Sequence, residues 1–219
     1  MRDEIIKSIK DNKIIVIVRG VETDKLIPLA KAMYEGGIRL IEITYSADKA
    51  VSDEDTAANI KMLCDYFDGK MLIGAGTVLT EKQVELTKNA GGKFIISPDT
   101  NEAVIKKTVE LSMVSIPGAL TPTEIRKAHR IGADFVKIFP ITNMGPEYVK
   151  AVKAPLSNIN LLAVGGVNEN NMSEYLNVGI SGFGVGANIV NKKMLDANDY
   201  DGIRNLAKVY VSRLKGKNI

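Results

Sequence analysis

One cysteine and one histidine stand among the 219 residues, and that scarcity removes several chemistries at once. Cys64 alone cannot close an intrachain disulfide, which agrees with a reducing cytoplasm. Catalytic zinc and iron sites collect several nitrogen or sulfur ligands. His129 is the only imidazole and Cys64 lies far from it in sequence, so such a site is disfavoured, as are Ser-His-Asp and Cys-His nucleophiles. The 26 acidic residues leave an oxygen-ligated magnesium site open. A strong charge of either sign is also missing. With 29 basic residues the formal net charge is +3, too mild to argue for nucleic acid or an anionic membrane as partner, though small anions would not be repelled. Long apolar runs are absent too. The opening segment MRDEIIKSIKDNK mixes charged and apolar residues like an amphipathic helix, not a signal peptide, and no other run could cross a bilayer. A cytoplasmic enzyme with no membrane partner is expected.

What remains is ordinary for a globular enzyme: 45% hydrophobic and 25% charged residues. The length fits one domain, residues 1–219, near the lower end for an eight-fold α/β barrel. Ile- and Val-rich runs predict strands at 14–18, 38–43, 71–74, 93–97, 113–116, 134–139, 160–164 and 180–184. They mostly lack polar alternation, as expected of strands covered on both faces. Thr80-Glu81-Lys82-Gln83 has the form of a capping box, and Thr121-Pro122-Thr123-Glu124 adds proline at the first helical position. Glycine-containing ends at Gly36-Gly37, Gly91 and Gly179 stop the intervening helices. Eight strand–helix units in so short a chain favour a closed (β/α)8 TIM barrel with an N-terminal helix over an open doubly wound sheet.

Such a barrel carries its site at the carboxyl ends of the strands. Arg19, Glu42, Thr44, Thr77, Pro98, Lys137 and the pairs Gly165-Gly166 and Gly184-Val185-Gly186 all fall there. Lys137 is centred in the apolar strand Phe135-Val136-Lys137-Ile138-Phe139, and alternation puts it on the face of Phe135 and Phe139. If that face is interior, burial lowers the amine's pKa and makes it a nucleophile; otherwise the chain snorkels to the strand end. Glu42 shares a face with Leu40 and Thr44, and its strand and that of Lys137 are both even-numbered, so the two could meet across the axis. That pair reads either as a proton shuttle or as a structural ion pair. Arg19 could clamp a carboxylate or lie solvated at a loop start, and Thr77 could help it or brace its own turn. The glycines of the last two loops, with a short helix expected near Ala187-Asn188, suit backbone binding of phosphate. His129 reads as a surface residue, Cys64 as packing, and Arg213, Lys215 and Lys217 as a solvated helix end.

Seven segments, read in order, resemble one family: Val18-Arg19-Gly20, the stretch from Gly36 to Thr44, Ile73-Gly74-Ala75-Gly76-Thr77-Val78, Ile96-Ser97-Pro98, Ile116-Pro117-Gly118, Val136-Lys137-Ile138-Phe139-Pro140 and Val164-Gly165-Gly166-Val167. It is the class I 2-keto-3-deoxy-6-phosphogluconate (KDPG) / 4-hydroxy-2-oxoglutarate (KHG) aldolase family. The resemblance implies a homotrimeric barrel lyase acting on a small 2-keto acid without metal or organic cofactor. It gives the Schiff base to Lys137, acid/base work to Glu42, the pyruvyl carboxylate to Arg19 and Thr77, and phosphate to amides around Gly165, Gly166, Gly186 and Ala187. Thr44, Pro98, Phe139 and Val164 would complete the pocket. Three positions depart from common members: Ser46 replaces an arginine, Val164 a threonine and Ala187 a serine. Backbone amides survive such changes and hydroxyl contacts do not. Val164 resembles the branch that acts on the galactonate epimer. The rival readings are another phosphate-binding barrel isomerase or synthase, and a non-catalytic barrel that binds a sugar acid.

Overall fold

Parallel strands and helices alternate along the computed structural model, which describes residues 2–214. Met1 of the opening helix and Lys215 and Lys217 of the expected helix end lie outside the described residues. The strands are β1 (Ile14–Val18), β2 (Leu40–Thr44), β3 (Leu72–Gly76), β4 (Phe94–Ile96), β5 (Val114–Ile116), β6 (Gly118–Ala119), β7 (Val136–Ile138), β8 (Leu161–Val164) and β9 (Gly182–Val185). The helices are α1 (Arg2–Asn12), α2 (Thr23–Glu35), α3 (Asp53–Phe67), α4 (Glu81–Asn89), α5 (Glu102–Glu110), α6 (Pro122–Ile131), α7 (Gly145–Lys153), α8 (Met172–Asn177), α9 (Lys192–Asp196) and α10 (Tyr200–Leu214).

The expected eight strands become nine because the fifth is divided at Pro117. Proline has no N–H to give a ladder. Below it β5 pairs with β4, and above it β6 pairs with β7, so the sheet runs from β5 round to β6. Hydrogen bonds across the seam join the ends: Lys137 N donates to Pro117 O at 2.9 Å, and Phe135 N to Ser115 O at 3.3 Å. The barrel is closed. The strand expected over 134–139 is shorter, because Asp134 is held outside it. Its carboxylate takes the Ser115 amide at 2.9 Å and the Arg2 guanidinium at 2.9 Å.

Two apolar layers follow from strand alternation. Val16, Ile41, Ile73, Val136, Ile138 and Val185 point outward and pack with the helices. Ile15, Leu40, Phe94, Phe135 and Leu162 point inward and form a separate core. Ile9 of α1 belongs to that inner core, with Ile5 and Ile6 packed against it, so the amphipathic first helix closes the amino-terminal mouth. Both expected capping boxes form, at Thr80/Gln83 and Thr121/Glu124. The short helix expected near Ala187-Asn188 does not: one turn forms there, with Ile189 N and Val190 N both donating to Gly186 O at 2.9 Å. The next helix, α9, begins at Lys192.

Candidate active site

Above the inner apolar core, at the carboxyl ends of the strands, the interior becomes polar. Lys137 and Glu42 point into it from β7 and β2, and are 7% and 2% exposed. Phe135, one step lower on the same face, belongs to the inner core, which fixes the direction of Lys137. Phe139, one step higher, lays its ring 4.5 Å from the Lys137 ammonium. Burial holds the Lys137 pKa below that of an ordinary lysine; Glu42 opposes the shift and Arg19 adds to it. Burial pushes the Glu42 carboxyl up to about 7, against the pull of Lys137 and Arg19. Its Oε2 is buried with no hydrogen-bond partner among the described residues. An uncompensated buried carboxylate is costly, so this atom stands ready for a proton or a ligand hydroxyl.

Glu42 has room only because β3 ends in glycine. Thr44 pairs in register with Gly76, and a Cβ on Gly76 would lie 2.3 Å from Glu42 Oε1 and 3.0 Å from Oε2. Any side chain there would displace the carboxylate. The chain then turns through Thr77, whose φ of 55° is left-handed. Its Oγ1 accepts a hydrogen bond from Arg19 Nη2 at 2.8 Å. Two residues 58 apart in sequence therefore meet at the cavity wall. Arg19 presents a fixed guanidinium beside a hydroxyl, a pairing that suits a carboxylate.

Across the cavity, Gly165 and Gly166 both have positive φ, +98° and +72°. Together with Gly186 and Ala187 they bring backbone close to the open space. The Gly186 turn leaves its first amides without partners inside the turn, which favours anions there. Arg19, Glu42, Thr77, Pro98, Lys137, Phe139, Val164, Gly165, Gly166, Gly186 and Ala187 line one cavity of about 550 Å3. Its charged lining residues are Arg19, Glu42 and Lys137.

Thr44 is the exception. It faces an adjacent cavity of about 430 Å3, shared with Arg19 and Ser46, and does not line the one that holds Lys137. Ser46 donates its hydroxyl to Asp48 there. Gly184 lines it as well, and three further lining residues were not singled out as site residues: Ile17, Val167 and Asn188. Ile17 was legible, since it alternates with Ile15 and Arg19; Asn188 had no periodic signal. A third cavity, of about 570 Å3, opens at the opposite end, beside Cys64, Asn89 and Lys93, where the strands begin. Burial pushes the Cys64 thiol up to about 11, so it stays protonated. His129 is exposed near the end of α6.

The sequence model described as KDPG and KHG aldolase matches residues 5–206. A probable 2-dehydro-3-deoxy-6-phosphogalactonate aldolase of Rhizobium meliloti is 36% identical over 185 residues, 84% of each chain. A KHG/KDPG aldolase of Escherichia coli K12 is 31% identical over 202 residues, 92% of this chain and 91% of its own. A solved structure described as native KDPGal superimposes with a TM-score of 0.83 at 31% identity, covering 92% of this chain and 94% of that one.

Proposed function

Because the chain belongs to the KDPG and KHG aldolase family, we propose that Lys137 is its Schiff-base nucleophile and Glu42 its acid/base. The protein is a carbon–carbon lyase that cleaves a 2-keto acid reversibly to pyruvate and an aldehyde. One observation carries the residue assignment. A lysine and a carboxylate, both almost wholly buried, share one cavity, and burial drives both toward their neutral forms. No stability argument alone would place both there.

The substrate carboxylate lies on Arg19 and Thr77. The Lys137 amine adds to the C2 ketone, and the resulting carbinolamine loses water to give an iminium. Glu42, as carboxylate, takes the proton from the C4 hydroxyl. The C3–C4 bond breaks, its electron pair passes into the iminium, and the aldehyde departs, leaving an enamine. Glu42 returns its proton to C3, and water then releases pyruvate and restores the amine. A carboxyl with pKa about 7 suits a group that must both take and give a proton near neutrality. No metal or organic cofactor enters these steps.

The amides around Gly165, Gly166, Gly186 and Ala187 would hold a distal phosphate. That supports 2-keto-3-deoxy-6-phosphogluconate or its galactonate epimer as substrate, with glyceraldehyde 3-phosphate as the aldehyde. Val164 lines the cavity where many members place a hydroxyl, which supports the galactonate epimer. The third candidate is 4-hydroxy-2-oxoglutarate, which yields glyoxylate. A pyruvate-release assay on all three tests the choice, and comparable rates throughout would undercut a narrow assignment.

All three substrates share the pyruvyl carboxylate. Arg19→Gln should therefore raise KM for each by about 10- to 100-fold, the worth of a charge-assisted hydrogen bond. A rise confined to one substrate would move Arg19 to another part of the ligand. A single-domain homotrimer in the cytoplasm completes the reading. Exposed Met144, in the loop after β7, supports an oligomeric surface. Light scattering during gel filtration should give three chain masses.

A further inference from the structure

The phosphate role proposed above rests on a loop whose polarity is not set by its glycines. Two consecutive residues with positive φ, Gly165 and Gly166, give the chain freedom to present either amide or carbonyl to the cavity. A carbonyl would repel phosphate. What fixes the choice is chiefly the side chains of Asn171 and Asn188, with a longer contact from Asn168 Nδ2 to Gly166 O at 3.5 Å.

Asn171 begins α8, where an asparagine ordinarily accepts from the amides of its own first turn. Here its side chain makes no such cap. It turns back instead. Its Nδ2 donates to Gly166 O at 3.0 Å, and its Oδ1 accepts from Asn168 N at 2.9 Å. Asn168 takes over at the helix start, its Oδ1 accepting from Asn170 N at 2.9 Å and Asn171 N at 3.3 Å. From the neighbouring loop, Asn188 Nδ2 donates to Val167 O at 2.8 Å.

In a trans peptide the C=O and the following N–H point in opposite directions. Gly166 O is held toward Asn171, which does not line the cavity, so the Val167 N–H is turned the other way. The next peptide is held at both ends, its carbonyl by Asn188 and its N–H by Asn171, and cannot rotate. Asn188 also ties the loop after β8 to the loop after β9, the two that hold the phosphate in the reading above.

We propose that Asn171, assisted by Asn188, is a positioning residue that sequesters the carbonyls of Gly166 and Val167 and so makes this loop an anion site. Neither side chain is required for Schiff-base chemistry at Lys137.

The test separates the two ends of the substrate. Asn171→Ala and Asn171→Asp should each raise KM for the phosphorylated sugar acid by about tenfold or more. Asn171→Asp keeps the acceptor for Asn168 N but exchanges the donor to Gly166 O for a negative charge, so the neutral Asn171→Ala is the deciding variant. Inorganic phosphate should lose inhibitory strength against 4-hydroxy-2-oxoglutarate cleavage by a similar factor. Borohydride trapping of pyruvate, and kcat/KM for 4-hydroxy-2-oxoglutarate, should stay within about twofold of the unaltered enzyme. An unchanged KM for the phosphorylated substrate overturns the proposal. So does an equal loss on both substrates and in trapping, which marks a merely structural role. If Asn171→Ala fails to fold, Asn171→Ser and Asn171→Leu carry the same comparison. Failure of the unaltered enzyme to trap pyruvate would instead overturn the nucleophile assignment, a separate result.

Discussion

Lys137→Met should lower kcat by about 10^4-fold or more and abolish the pyruvate adduct that borohydride traps on the unaltered enzyme. Methionine matches the lysine stem in length and keeps contact with Phe139, so the barrel should fold normally. It should even gain slightly in stability, because a buried amine is exchanged for an apolar group. Mass mapping of the trapped protein decides the matter. An adduct on another lysine, or retained cleavage in Lys137→Met, would sink the assignment. If pyruvate leaves no adduct at all, Lys137 acts at most as a charge, as in a barrel isomerase, a synthase or a non-catalytic sugar-acid binder.

The second large effect is expected at Glu42. Glu42→Gln keeps the shape and removes the titration, and kcat should fall by about 10^2- to 10^4-fold, the usual worth of a positioned acid/base. Pyruvate should still be trapped on Lys137. The pH dependence is the sharper readout. With the carboxyl near 7, kcat/KM of the unaltered enzyme should fall below neutrality, not below 4.5, as the base becomes protonated. That limb should vanish in Glu42→Gln; its midpoint belongs to the coupled Glu42–Lys137 pair.

Stability should move the opposite way. A carboxyl raised from 4.5 to about 7 binds its proton more tightly folded than unfolded. Folding is therefore favoured fully below 4.5, and the advantage is lost as pH rises toward 7. The shift amounts to about 3 kcal/mol at most. Urea unfolding should show Glu42→Gln gaining on the unaltered protein between about pH 5 and pH 8. A constant difference across that range would mean that the carboxyl is not raised by burial.

Much of this site could be read from alternation alone. Phe135, Lys137 and Phe139 do share a face, and so do Leu40 and Glu42, because period two is enforced wherever one face is interior. The capping boxes were legible because they are local. Other features were not. Parity gives a face but not which cavity a rim residue lines, so Thr44 falls beside the site and not in it. The division at Pro117 depends on which neighbour each half pairs with, which no local pattern records. The Ala187 segment looked like a helix start and supplies a single turn. Asn171 reads as an ordinary cap, and only its diverted side chain reveals another use.

The first helix has a kinetic consequence. With Ile5, Ile6 and Ile9 sealing the far end, the barrel is a well with one opening, and Lys137 stands beneath its rim. Traffic in a well is last in, first out. In the reading proposed above, the half of the substrate bonded to buried Lys137 would lie deeper than the half held by the glycine loops, so the aldehyde would leave before the keto acid. Product inhibition should reveal that order: pyruvate should compete directly with the sugar acid, and the aldehyde should not.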